Sequence, residues 1–117
     1  RKIELFNKGN FLRDFTYISD IINSISKLIL KPPKKIIPYN VFNIGRSKPE
    51  KVKNFVDEIL KQLKNKKVKM KKVSKKNNNE PLITYSNSNK LYKFIKYKPN
   101  VKIKTGISEF IKWYRNI

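Results

Sequence analysis

The first third of the chain alternates short apolar runs with one amphipathic segment. Residues 3–6 and 15–18 are rich in β-branched and aromatic side chains, which predicts two short strands, and residues 7–10 have the composition of a turn. Apolar positions then recur at helical spacing up to Pro32, with Ser19 or Asp20 as the candidate N-cap. This predicts a helix with an apolar face made of Ile21, Ile22, Ile25, Leu28 and Ile29.

The middle of the chain predicts a compact strand followed by a well-marked helix. Residues 39–44 form a largely apolar run that ends at Gly45. Ser47 and Glu50 have the spacing of a capping box, and Pro49 suits a first helical turn. The predicted helix has an apolar stripe made of Val52, Phe55, Val56, Ile59, Leu60 and Leu63.

The second half is richer in lysine and asparagine and predicts smaller elements. Within residues 64–79, Val68, Met70 and Val73 alternate with polar residues as in an exposed strand, and a mobile loop is expected after them. Three further elements are predicted: a strand at 82–85, a short helix that begins at Ser86 or Ser88, and a final helix capped by Thr105.

The order of these elements predicts an α/β fold. Strand, helix, strand and helix in the first half suggest a βα pair beside a parallel sheet. The chain has too few strands of its own to complete that sheet. The apolar faces of the first helix and of the 39–44 strand therefore need cover from a partner segment that these residues do not supply.

Composition narrows the possible chemistry. The 117 residues, 38% of them hydrophobic, have the size of one small domain. With no cysteine and no histidine, the sequence excludes disulfides, thiolate nucleophiles, ordinary zinc sites and histidine-based triads. No run resembles a membrane span or a signal peptide, so a cytoplasmic location is expected. Because the chain starts at Arg1 and its sole methionine is Met70, we expect it to be a piece of a longer protein.

The formal net charge of +21 has two possible explanations. A basic module could bind nucleic acid, because lysines at phosphates release condensed counterions. However, most of the basic residues are lysine, and isoleucine and asparagine are enriched as well. These three residues have codons that can be built from A and U alone, so an A+T-rich genome would explain the charge without polyanion binding. We favour this second explanation.

The most specific segment is residues 13–18, Arg-Asp-Phe-Thr-Tyr-Ile, with Asp20 two residues further on. Residues 39–45 follow it with the sequence Tyr-Asn-Val-Phe-Asn-Ile-Gly. An arginine at the end of a short apolar run can present a planar fork to a phosphate. The order and spacing resemble the C-terminal part of the NAD-dependent sugar-nucleotide epimerases and dehydratases, which are extended short-chain dehydrogenases, and especially the UDP-glucuronate 4-epimerases.

This resemblance implies a fold and an activity. Residues 1–48 would be the last elements beside a Rossmann sheet and would carry the diphosphate motif, and residues 49–117 would form a mostly helical C-terminal substrate-binding subdomain with short strands. The resemblance also implies that the complete enzyme uses NAD, takes a UDP-sugar and forms a homodimer, with an N-terminal Rossmann segment that is missing here. The implied reaction is 4-epimerisation through transient oxidation at the sugar C4.

The resemblance further implies two substrate-binding residues. Arg13 stands where family members contact the nucleotide diphosphate; the alternative is a surface arginine paired with Asp14 or Asp20. Asn43 stands where the family has an asparagine near the nucleotide phosphates; the alternative is an asparagine that fixes the turn at Gly45. Gly45 itself is expected where the backbone needs an unusual φ or a close approach.

Two other stretches match the family less specifically. Residues 78–90 match a family segment at Thr84, Tyr85 and Lys90 and differ from it at four other positions. Because of these differences, we favour a solvated loop leading to a helix cap over a ligand-binding role. The differences are Asn78, Asn79, Glu80 and Asn87. The aromatic residues near the C-terminus also match, and we expect them to pack in a core.

No catalytic residue is expected in this chain. Tyr92 and Lys96 have the spacing of the superfamily's catalytic Tyr-x-x-x-Lys pair, but they follow the diphosphate motif, whereas the family's pair precedes it. Three isolated glycines cannot form the NAD-binding turn, so the fragment alone should be inactive. The open alternatives are a fragment of a dTDP-glucose 4,6-dehydratase or a UDP-N-acetyl-sugar epimerase, a noncatalytic remnant, and a nucleic-acid-binding module.

Overall fold

A computed structural model describes residues 2–34, 36–64, 67–74 and 80–117. Over these ranges the chain has the predicted α/β character, with short strands and longer helices. The strands are β1 (Lys2–Leu5), β2 (Leu12–Arg13), β3 (Glu50–Lys51), β4 (Lys69–Lys72) and β5 (Ile83–Thr84). The helices are α1 (Ile18–Ile29), α2 (Val52–Gln62), α3 (Asn89–Ile95) and α4 (Ile103–Arg115), with a 3₁₀ turn at Phe6–Gly9.

The strands form two small sheets. β1 and β4 pair in parallel, with Ile3 opposite Met70, which confirms the strand predicted in the lysine-rich tract. β2 is the central strand of the other sheet, antiparallel to β3 and parallel to β5. In that sheet Arg13 lies opposite Glu50 on one side and Thr84 on the other. The backbone of Arg13 is therefore held by strands from two distant parts of the sequence.

Two predicted strands are wrong. Residues 15–17 lie outside any strand, because the ladder forms earlier, at Leu12–Arg13. Residues 39–44 also lack a strand ladder, and Tyr39 and Val41 are exposed. A strand needs a neighbour to receive its backbone hydrogen bonds, and no described segment runs alongside 39–44.

The predicted helix caps are also wrong at three helices. α1 has Tyr17 at its N-cap position, α2 has Lys51 and α4 has Lys102, and none of the three makes a capping hydrogen bond. The Ser47–Glu50 capping box does not form. Instead, Ser47 has a φ of 59° and Glu50 belongs to β3.

Little apolar surface is fully buried in the described residues. The buried hydrophobic side chains are Leu5, Phe11, Leu91, Ile107 and Ile111. The α1 face predicted to be apolar is largely exposed, with Ile22 at 54% and Ile29 at 72% of the maximum. The core position expected for the C-terminal aromatics is wrong for Phe110, Trp113 and Tyr114, which are more than half exposed.

The mobile loop predicted after Val73 falls on residues that the structure does not describe. Residues 75–79, which include Asn78 and Asn79, lie outside the described ranges. In the part of the chain that the structure covers, no helix is both long and apolar enough to cross a bilayer.

Candidate functional site

A cavity of about 500 Å³ opens where three segments meet. We call it the diphosphate cavity, after the sequence motif at residues 13–18 that lines it. Its walls come from residues 13–16 after β2, from residues 43–45, and from residues 84–87 at the end of β5. Arg13 and Asn43, the two residues predicted to bind substrate, both line it although they are far apart in sequence. The fold therefore brings together the two motifs on which the sequence hypothesis rests.

The Arg13 guanidinium is held at the edge of this cavity by hydrogen bonds and by contact with an aromatic ring. Its Nη2 donates to Oε1 of Glu80 at 2.8 Å, and its Nη1 donates to the carbonyl oxygens of Leu12 at 2.9 Å and Pro81 at 3.1 Å. The guanidinium carbon also lies 4.9 Å from the ring centroid of Phe11. These contacts fix the direction of the fork before any ligand is present.

The alternative partners suggested for Arg13 by the sequence are wrong. Its salt bridge is to Glu80, because the carboxylates of Asp14 and Asp20 accept hydrogen bonds elsewhere. The Glu80 side chain is 41% exposed, whereas that of Arg13 is 24% exposed. Of the two side chains in this ion pair, that of Arg13 is therefore the more buried and the more firmly held.

Asp14 connects the three walls of the cavity. Its Oδ2 accepts hydrogen bonds from the backbone N–H of Ser47 at 2.9 Å and of Ser86 at 3.2 Å, and from the Ser86 hydroxyl at 3.1 Å. Its Oδ1 lies 3.4 Å from the N–H of Lys48. Hydrogen bonds from several donors to one carboxylate hold the donor segments in fixed positions relative to it. One side chain therefore sets the relative position of the segments that line the cavity.

Gly45 is required by close packing. Its φ lies outside the positive region, but a Cβ at this position would lie 2.2 Å from Ser86 Oγ and 2.8 Å from Asp14 Oδ2. The buried Ser88 hydroxyl accepts a hydrogen bond from the Gly45 N–H at 3.1 Å and donates one to the Gly45 carbonyl at 2.8 Å. Of the two reasons expected for this glycine, a close approach is the one that applies.

The segment after β5 is a wall of the cavity. Thr84, Tyr85 and Asn87 line it and are exposed to solvent, so their place in the wall does not contradict the interpretation of this stretch as a solvated loop. Lys90, which agrees with the family segment, donates from Nζ to the Val41 carbonyl at 2.7 Å. It thus fastens α3 to the 39–44 segment.

Sequence reasoning missed the roles of Asp14, Ser86 and Ser88. Ser86 and Ser88 precede a predicted helix, and that signal is the same for an N-cap as for a tertiary hydrogen bond. Ser88 does occupy the N-cap position of α3, but it makes no capping hydrogen bond and uses its hydroxyl on Gly45. The part that Asp14, Ser86 and Ser88 play in shaping the cavity becomes visible only in the structure, where the 45–48 loop contacts all three.

A second network holds the start of α1. The fully buried Asp20 accepts hydrogen bonds from the Tyr97 hydroxyl at 2.6 Å and from the backbone N–H groups of Asn100 at 3.0 Å and Val101 at 2.8 Å. Burial, together with the bond to Asp20, raises the pKa of Tyr97 above its ordinary value of 10.0. Asp20 therefore anchors the helix that follows the diphosphate motif to the loop before α4.

Tyr92 and Lys96 lie outside the lining of the diphosphate cavity. Tyr92 is half exposed on α3, and Lys96 ends that helix with a left-handed φ of 53°. Among the described residues, no group of three or more acidic, histidine or cysteine side chains could hold a metal ion.

Comparison with curated proteins points to one group of enzymes, although no family model matches the chain. The chain is 42% identical to an uncharacterized protein of Methanocaldococcus jannaschii, over 97% of this chain and 33% of that protein. It is 34% identical to protein CapI of Staphylococcus aureus, over 96% of this chain and 37% of that protein. It is also 34% identical to UDP-glucuronate 4-epimerase 1 of Arabidopsis thaliana, over 92% of this chain and 27% of that protein.

Solved structures show the same fold. The UDP-glucuronic acid 4-epimerase of Bacillus cereus, in complex with UDP-glucuronic acid and NAD, matches with a TM-score of 0.75 and 26% identity over 97% of this chain and 36% of that one. The dTDP-glucose 4,6-dehydratase of Bacillus anthracis matches in fold with a TM-score of 0.77 and 21% identity over 99% of this chain and 35% of that one. The chain thus spans about a third of the length of these proteins. It belongs to the NAD-dependent sugar-nucleotide epimerases and dehydratases, the extended short-chain dehydrogenases, and forms a partial domain of such a protein.

Proposed function

We propose that this chain is the C-terminal, nucleotide-sugar-binding portion of an NAD-dependent UDP-sugar 4-epimerase similar to the UDP-glucuronate 4-epimerases. The observation that carries the proposal is the diphosphate cavity, where Arg13 and Asn43 face a common space. Similarity to UDP-glucuronate 4-epimerases supports the choice of substrate. In this proposal residues 1–48 flank the Rossmann sheet and residues 49–117 form the substrate-binding subdomain.

Arg13 binds the diphosphate by exchanging one contact. Its ion pair with the exposed Glu80 contributes at most about 1 kcal/mol, as is usual for exposed pairs. A diphosphate oxygen replaces Glu80 at Nη2, while Nη1 keeps its bonds to the Leu12 and Pro81 carbonyls. The arginine stays oriented throughout, so the ligand meets a donor that is already in place.

Asn43 and Asp14 complete the binding site in different ways. The exposed amide of Asn43 donates to a phosphate oxygen from the wall opposite the 84–87 segment. Asp14 positions both walls and does not contact the ligand. Anchoring the nucleotide in this way lets the sugar turn between its two orientations without leaving the enzyme.

The redox step belongs to residues outside this chain. NAD supplies hydride acceptance and return when bound to the complete enzyme, and the described residues contain no glycine-rich turn that could hold it. The missing N-terminal Rossmann segment provides that site and the catalytic Tyr-x-x-x-Lys pair. The exposed α1 face and the unpaired 39–44 segment are where that segment packs, and the complete enzyme is a homodimer.

The direct test is incubation of the complete protein with UDP-glucuronate and NAD, followed by chromatographic separation of the C4 epimers. We expect epimerisation. A 4-keto-6-deoxy product from dTDP-glucose would show a dehydratase instead. Turnover only of UDP-N-acetyl sugars would show a UDP-N-acetyl-sugar epimerase. Binding of UDP-sugars with no turnover of any of them would identify a noncatalytic remnant.

Two substitutions with opposite expected effects test the site. Arg13→Ala should weaken UDP binding by about 1.5–3 kcal/mol, because a charge-assisted hydrogen bond is lost. Glu80→Gln should leave UDP binding unchanged or tighten it, because a competing carboxylate is removed. Arg115→Ala removes the same charge from the exposed end of α4 and is the matched control. Equal affinities for Arg13→Ala and Arg115→Ala, measured by calorimetry, would remove Arg13 from the site.

A nucleic-acid module predicts different behaviour. Nonspecific binding through lysines should fall steeply with salt and show no base preference. Base-selective binding of oligonucleotides at high salt would contradict the explanation of the charge by genome composition.

A further inference from the structure

A second cavity, of about 530 Å³, lies on the far side of the 46–50 loop and has a strongly basic lining. We call it the lysine cavity. Its charged lining residues are Arg46, Lys48, Glu50, Lys98, Lys102 and Lys104. Arg46 and Glu50 form an ion pair, and no salt bridge joins the four lysines to a carboxylate in the described parts of the chain. Four like charges therefore face one concave space without compensation.

The start of α4 adds to this positive potential. Lys102 occupies the N-cap position without a capping hydrogen bond, and the first turn of α4 contains no acidic residue. Helix N-termini expose unpaired N–H groups and a positive partial charge, so acidic residues stabilise them and lysines do not. Lys102 and Lys104 therefore place positive charge at the positive end of α4, which destabilises the helix. An anion bound in the cavity would stabilise the same helix end.

Arg46 is the buried member of this lining. Its side chain is only 7% exposed, and its guanidinium contacts Glu50 and, at 3.4 Å, the Val101 carbonyl. Its Nε is buried and has no hydrogen-bond partner among the described residues. This atom has almost no accessible surface, so it does not itself face the cavity. Because Glu50 balances the guanidinium charge, the net positive charge of the lining comes from the four lysines.

We propose that the lysine cavity binds a phosphate group, at a site separate from the diphosphate cavity. Lysine enrichment by genome composition would scatter charges over the surface. This lining differs from the rest of the lysine-rich surface in being concave, in containing a buried arginine and in including an uncapped helix start. The phosphate comes either from a small phosphorylated metabolite or from the backbone of a nucleic acid, since both present the same anionic oxygens.

The test is calorimetric titration of the complete protein with inorganic pyrophosphate, in an Arg13→Ala background so that the diphosphate cavity does not contribute. Lys98→Gln combined with Lys104→Gln should weaken binding about tenfold, because two cations near the anion are lost. The matched control, Lys69→Gln with Lys72→Gln, removes the same charge from exposed positions of β4 and should change affinity by less than about twofold.

Equal weakening in the two double variants would overturn the proposal, because it would show attraction to the overall charge alone. Absence of saturable pyrophosphate binding in the Arg13→Ala protein would overturn it as well. UDP binding through Arg13 is measured separately, so the two proposals can fail independently. Displacement of pyrophosphate by a single-stranded oligonucleotide would assign the site to a nucleic-acid backbone, and saturable binding without displacement would assign it to a small metabolite.

Discussion

At the scale of single residues, the diphosphate cavity depends on a few short hydrogen bonds around one carboxylate. Asp14 accepts bonds from the N–H groups of Ser47 and Ser86, and Gly45 lies between them without a side chain. Because the atoms are in close contact, the site tolerates little change in volume at its centre.

Gly45→Ala tests this packing. The added methyl group would meet Ser86 Oγ at 2.2 Å, so Ser86 or the 45–48 loop must shift. We expect a loss of about 1–3 kcal/mol in the free energy of unfolding, as for other overpacked sites, together with weaker UDP binding. Chemical denaturation and calorimetry measure the two effects. A variant as stable and as tight-binding as the parent would contradict the role given to this contact.

The Tyr97 hydroxyl provides a pH-dependent prediction. Because its pKa is raised in the folded protein, the folded state holds this proton more tightly than the unfolded state does. Its contribution to stability is therefore complete below the unfolded pKa of 10.0 and is lost as pH rises through the folded pKa. The stability advantage of the parent over Tyr97→Phe should shrink above pH 10. Urea denaturation at neutral and alkaline pH measures it, and a constant difference would contradict the prediction.

At the scale of elements, α1 and the 39–44 segment resemble half of an interface. α1 has the predicted apolar residues, but Ile22, Ile25 and Ile29 face solvent. The 39–44 segment follows it, and its Val41 carbonyl accepts a hydrogen bond from the Lys90 side chain instead of from a neighbouring strand. Helix and unpaired segment together have the composition of a βα pair that lacks its sheet.

Ile25→Asp tests whether the complete protein covers this face. Burial of an isoleucine side chain contributes about 1.5–3 kcal/mol, and a buried carboxylate adds a further cost. The substitution should therefore lower the melting temperature of the complete protein. Ser26→Asp, on the neighbouring exposed position of the same helix, is the control and should have little effect. Equal melting temperatures for the two variants would show that the α1 face stays in water.

At the scale of the whole molecule, the chain is too extended for its length. Its Cα radius of gyration is 17.6 Å, whereas a compact domain of this size has about 13 Å. Its accessible surface is 9181 Å², compared with about 6,700 Å² for a compact protein of 14.0 kDa. The chain therefore leaves more of its surface in contact with water than a compact protein of its mass does.

The isolated chain should therefore melt without a cooperative transition. Its apolar faces are exposed to water. The free energy gained by burying apolar surface on folding therefore does not offset the conformational entropy that the chain loses. Calorimetry of the isolated chain measures this directly, and a sharp two-state melt would contradict it. The single tryptophan, Trp113, is 60% exposed and should show the red-shifted fluorescence of a hydrated indole.

By itself, the sequence determined the local and chemical features of this protein. The 3.6-residue periodicity predicted all four helices, because an amphipathic stripe depends only on neighbouring residues. The α/β class and the family resemblance followed from motif order, and both are confirmed. The binding roles of Arg13 and Asn43 stay predictions, although the structure places both residues at one cavity.

Only the tertiary structure decided which partners the polar side chains choose. Asp20 and Ser88 have the chemistry of helix caps, but long-range contacts bind their oxygens instead. Strand 39–44 failed to form because a ladder needs a second strand, which no local pattern can provide. Glu80 as the partner of Arg13, and Asp14 as the centre of the cavity, depend in the same way on segments that meet only when the chain folds.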